Sequence, residues 1–131
     1  MNYAELSSMH QKEVDAFPLR AAFSPAQLKT GMEALSVESK GDLYDIGGGC
    51  FIRKNDKNAF YEMMERHSNQ LEKALEDDAF AIGALIYELN NHEYVITGNP
   101  SEAMEILDFN IDNPRHVNLL NEALQQGSFQ E

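Results

Sequence analysis

Cysteine is almost absent: Cys50 stands alone among 131 residues. An intrachain disulfide is thereby excluded, and a cysteine-ligated zinc would need its ligands from elsewhere. Cys50 reads as a small, partly buried hydrophobe beside a turn, since nothing local would lower its pKa for nucleophilic work. Long apolar runs are missing as well. The longest strongly apolar, uncharged stretch, residues 79–87, falls far short of the ~20 residues that span a bilayer. Met1-Asn2-Tyr3-Ala4-Glu5 offers no basic region leading into an apolar one, so no export signal is expected and the cytoplasm is the expected compartment. Basic residues nearly vanish in the second part of the chain. Residues 1–75 hold eleven Asp/Glu against nine Lys/Arg; residues 76–131 hold eleven against one, Arg115. Coulomb repulsion there opposes direct binding to nucleic acid, whereas a basic protein surface would be attracted; the simpler role of such charge is solubility.

What remains is the composition of an ordinary globular protein, 43% apolar and 24% charged. A chain of this length buries roughly two-thirds of its extended surface without staples, and a single helical domain over residues 1–131 is expected. Composition is silent on oligomeric state.

The spacing predicts a mainly α fold, a compact bundle of five or six helices with one short β-hairpin. Tyr3, Leu6, His10, Val14 and Phe17 share one face of a first helix that Pro18 stops. Ser24, Pro25 and Gln27 are the cap, first residue and capping-box partner of a second, with Phe23 and Leu28 at staple positions. Leu28, Met32 and Leu35 carry its apolar face. Gly47-Gly48-Gly49 between two short β-prone runs marks the hairpin, from Leu43 to Arg53. A long helix over about 57–76 would turn Phe60, Met64, His67, Leu71 and Leu75 inward. Asp77 or Asp78 starts a fourth, to about Asn91, with apolar residues on most sides and hence a central place. Asn99 is expected to cap a short helix with Glu102 at its third position, and Asn113-Pro114 to begin a last one ended by Gly127.

Several of these stretches carry a likeness. Ala22-Phe23-Ser24 with Gln27-Leu28 and Gly31-Met32, Ile46-Gly47-Gly48-Gly49 with Phe51-Ile52-Arg53-Lys54, Met64-Glu65-Arg66-His67, and residues 87–94 with Thr97-Gly98 resemble a family of small acidic bacterial proteins of unknown function. Its members are carried on phages and conjugative elements of anaerobic Gram-positive bacteria. The resemblance implies that context and no activity.

Glu88 and His92 are the first candidates for chemistry. Four apart, they share a helical flank with Ala81 and Ala84, whose small side chains would leave a slot for a ligand. The plainer reading is a Glu–His contact that ends the helix. His10 and His67 lie in apolar stripes; with His92 and Glu88 they form a possible metal set, although no recognised ligand spacing supports it, and no metal or other cofactor is expected. His67, with no acidic neighbour on its stripe, is expected to be buried and neutral, and His67→Leu to be tolerated. The three glycines followed by Arg53, Lys54 and Lys57 lack the spacing of a phosphate-binding loop and reduce to a turn. The expected function is therefore that of a non-catalytic accessory protein that binds another protein, through its acidic C-terminal half, at a basic surface. The alternative is a small-molecule or metal-dependent enzyme centred on Glu88 and His92, with Tyr87 and His67 in support.

Overall fold

The computed structural model describes residues 1–127. Seven helices and one small antiparallel sheet follow in the order α1 (Tyr3–Ala16), β1 (Leu19–Ala21), α2 (Pro25–Ala34), β2 (Leu43–Gly47), β3 (Cys50–Arg53), α3 (Lys57–Ala74), α4 (Asp78–Asn91), α5 (Tyr94–Thr97), α6 (Ser101–Ile106) and α7 (Pro114–Gln126). The fold is mainly α with a short hairpin, and no described helix is long and apolar enough to cross a membrane. The chain packs as two compact units, one of Met1–Ser8 with the chain from Gln70 on, the other of Met9–Asn69.

The local end signals are obeyed closely. Ser24 Oγ accepts the Gln27 N–H while Gln27 Oε1 accepts that of Phe23, so a capping exchange opens α2 one residue out of step with the usual box. Asp77 Oδ2 accepts from Phe80 N, and Asn113 Oδ1 from Arg115 N, at the starts of α4 and α7. Two details differ. Asn99 sits one residue outside α6, where Pro100 holds the cap position, yet its amide oxygen still takes the Ser101 N–H. Gly127 ends α7 with φ −78°, so its backbone there does not need glycine.

In the second unit, β3 is the middle strand, with β1 and β2 antiparallel on either side. β1 was not expected: three residues after Pro18 are too short to show alternation, and their partner lies some thirty residues on. As the central strand, β3 is covered on both faces and buries Phe51 and Ile52. Ile52 packs with Phe60 and Met63 of α3, and Val14, Phe17, Leu19, Tyr44 and Ile46 close around them. Phe51, on the other face, meets α2 at Gly31, the one buried residue of that helix. Phe23 is exposed and lies against Gly49, where a Cβ would come within 2.6 Å of its ring. α3 is phased slightly differently from expectation: Met63 is buried and Met64 exposed, because the line through Phe60 and His67 passes the former.

In the first unit α4 is the central element. Ala81, Ala84, Leu85 and Leu89 are fully buried among Tyr3, Leu75, Met104, Leu107, Leu119, Leu120 and Ala123. It is not apolar-covered all round, however: Ala79, Gly83, Tyr87 and Asn90 form an exposed stripe.

Two helical glycines now separate cleanly. A Cβ at Gly31 would lie 2.6 Å from Phe51 Cζ, whereas one at Gly83 meets nothing within 4 Å. Gly31→Ala is expected to lose about 1–3 kcal/mol through overpacking, and Gly83→Ala to gain about 0.5–1 kcal/mol through helix propensity, as read by urea unfolding.

Candidate functional site

The sequence candidates fall into two groups. In the first unit, Glu88 is buried on the inward face of α4, four residues before His92, where the helix ends. Tyr3 OH donates to Glu88 Oε1 at 2.6 Å, and Glu88 Oε2 lies 3.4 Å from His92 Nε2. His92 Nδ1 in turn lies 2.7 Å from Oε2 of Glu102, on α6. A chain of polar contacts thus runs from the buried phenol to an exposed carboxylate. The pairing of Glu88 with His92 is as the spacing implies. The slot above Ala81 and Ala84 is not: Tyr3 belongs to the same packed cluster and aims its hydroxyl at the carboxylate. Tyr3 also packs edge-on against Phe80 and Tyr87, at ring separations of 6.2 and 5.3 Å. Burial first, and the Glu88 carboxylate second, push its phenol well above the usual 10.0. Tyr87, a candidate for chemistry, is exposed and contributes this ring contact.

Such a network orients and stabilises more readily than it catalyses. A general base needs a free lone pair directed at substrate. Both oxygens of Glu88 face internal groups, and both nitrogens of His92 face carboxylates.

In the second unit, His10 and His67 meet as stacked rings, 3.9 Å apart and 14° from parallel. His67 is buried as its stripe implies, but it has an acidic partner: Glu13 Oε1, from α1, is 2.8 Å from Nε2. That carboxylate was invisible along α3 because it arrives from another helix. Glu13 also receives both terminal nitrogens of Arg66, the Nη1 contact at 2.9 Å. The Arg66 hydrogen bond, then that of His67, hold the Glu13 carboxyl down at about 2 against its usual 4.5. Among the described residues no group of three or more His, Cys, Asp or Glu is arranged to hold a metal ion. Within the second unit His67 pairs with Glu13, and His10 stacks on the His67 ring; within the first, His92 faces both Glu88 and Glu102. Around the hairpin, Arg53 is turned onto Asp56 and Lys57 lies over the Tyr44 ring, which leaves the turn without those cations.

With that geometry fixed, the family can be stated. The chain belongs to DUF7659, a family of unknown function, matched over residues 2–127. No curated protein and no solved structure matches it. The match takes in both polar groups of this DUF7659 member, and its description assigns neither of them a role.

One histidine escaped the reading of the sequence. His116, the third residue of α7, accepts the Asn110 N–H on Nδ1 at 3.0 Å and stacks on Phe109 with ring centres 4.1 Å apart. Its only sequence signal was its place just after Asn113-Pro114, in the first turn of a capped helix.

Two expectations follow. Tyr3→Phe removes the hydroxyl from a buried carboxylate and is expected to cost about 1–3 kcal/mol; Tyr3→Phe combined with Glu88→Leu should recover part of it, both read by urea unfolding. Glu13, ionised in the fold to about pH 2, contributes stability that is full above 4.5 and lost as pH falls from 4.5 towards 2. Glu13→Gln should accordingly flatten the acid limb of the thermal-unfolding midpoint in that window.

Proposed function

We propose that this protein is a cytoplasmic, non-catalytic accessory protein that works by binding a basic surface of another protein through its acidic C-terminal half. The observation that carries this reading is the fate of Arg115. It is the one Lys or Arg among residues 76–127, and its guanidinium is turned onto the carbonyl oxygens of Leu75 and Glu76 and onto Asp78. The positive charge closes the end of α3 and neutralises one carboxylate. Nine of the ten Asp and Glu of this stretch are exposed, Glu88 being the exception. Such a field steers encounter with a cationic partner and repels polyanions. A protein of a phage or conjugative element that engages a host factor in this way fits the charge, and a mimic of DNA's phosphate rows is the narrower form of the same reading. The engagement of Glu88 and His92 by internal partners speaks against the enzymatic alternative.

The test is capture of partners from a bacterial lysate on the immobilised chain, with elution by rising salt. A basic protein should be retained at about 0.1 M salt and released towards 1 M, as the screening length shrinks from about 10 to 3 Å. The triple variant Glu105→Gln, Asp112→Asn, Glu122→Gln should lose that capture while keeping the circular dichroism of the parent. Retention indifferent to both salt and variant defeats the proposal.

A further inference from the structure

We propose that the connection between α6 and α7 is a latch that His116 holds closed at neutral pH and releases on taking up a proton. The Asn110 backbone N–H donates to Nδ1 of His116. An acceptor nitrogen carries a lone pair, so the ring is neutral with its proton on Nε2. Phe109, the preceding residue, stacks on the same ring within 10° of parallel. One imidazole therefore holds two successive residues of the connection from the far side.

Phe109 is half-buried and packs against the core of the unit, and the connection's other hydrogen bonds are short-range. Phe109 N returns to Met104 O, Asn113 N to Asn110 O, and Asn110 Oδ1 accepts from Asp112 N. Leu107 is buried at one end, and Asn113 caps α7 at the other. Between these anchors Asp108 sits at φ +57°, a backbone region that Asp visits at low cost. A short segment between two anchors, clasped by one side chain, is an arrangement that one lost hydrogen bond loosens.

Protonation removes that bond. An imidazolium carries N–H on both nitrogens, so Nδ1 would set a donor against the Asn110 donor. The charged groups facing the ring are Arg115, its chain neighbour on α7, which opposes protonation, and Asp108, from the connection, which favours it. Asp78, on α4, is engaged by Arg115. The ring also lies in the first turn of α7, where the positive end of the helix dipole disfavours a cation. Burial, followed by Arg115, holds the imidazole below its usual 6.5. The stability from this contact is full above 6.5 and is lost as pH falls from 6.5 through the lower folded value. The released segment carries Asp108 and Asp112. Any effect on a bound partner rests on the acidic-face reading above, but the latch itself does not.

Nitrogen-detected NMR of the histidine rings of the full chain, with amide exchange at Asn110 from pH 7.5 to 5.0, tests the latch without any partner. At pH 7.5, His116 should show an unprotonated Nδ1. It should titrate with a midpoint below 6.5, and Asn110 protection, corrected for intrinsic exchange, should fall along the same curve. His116→Asn places a non-titrating amide oxygen near the position of Nδ1 and should make Asn110 protection independent of pH. A proton on Nδ1 at pH 7.5, a midpoint at or above 6.5, or Asn110 protection that ignores the titration of His116 overturns the latch. A failed salt-dependent capture bears on the partner alone.

Discussion

A carboxylate buried on an inward helix face is a constraint that the surrounding structure has to answer. Glu88 lies among fully buried alanines and leucines of α4, where an unmatched charge would cost several kcal/mol. The Tyr3 hydroxyl answers one oxygen, and His92 faces the other. Each answer fixes a position. The phenol brings the start of α1 onto α4 with Phe80 and Tyr87 edge-on to its ring, and His92, by reaching Glu102, ties the end of α4 to α6. An all-apolar contact would supply comparable burial without selecting one register. A carboxylate with two partners rejects arrangements that leave either oxygen bare.

The charged groups divide into those that organise the fold and those that it leaves outward. Arg115, Glu13 and Arg66 belong to the first kind, as do Asp77 and Asp78 at the start of α4. Exposed pairs of this sort contribute little each; their value lies in placing helix ends, where bare carbonyl and amide groups would otherwise need water. Once Arg115 is taken up in this way, the stretch from Glu76 onward keeps its negative field with little internal compensation. The charge asymmetry of the sequence therefore survives folding.

How far each feature was legible follows from the range of the interaction that makes it. Ser24, Asp77 and Asn113 announce helix starts because a cap bonds only two or three residues on. The hairpin is legible for the same reason. β1 is not, since Leu19–Ala21 become a strand only through Cys50–Ile52. The Glu88–His92 neighbourhood follows from helical spacing, whereas its third member, Tyr3, stands 85 residues away. Spacing could place small residues beneath Glu88 but could not tell whether the space above them was open or occupied by a tyrosine from another helix. His67 shows the same limit, since its acidic partner is 54 residues distant. Met63 and Met64 differ by one step of rotation, a difference that packing decides and periodicity does not.

The four histidines draw these points together. Three of them, His10, His67 and His92, were candidates for one metal set without any recognised ligand spacing, and the contacts of all four differ. His67 and His92 each face carboxylates. His10 lies flat on His67. His116 instead receives a backbone N–H, so a proton added there turns an acceptor into a donor and sets it against another. Sensitivity to acid depends less on how deeply a histidine is buried than on which way its hydrogen bond points. By that measure the α6–α7 connection is where protonation of a histidine sets donor against donor.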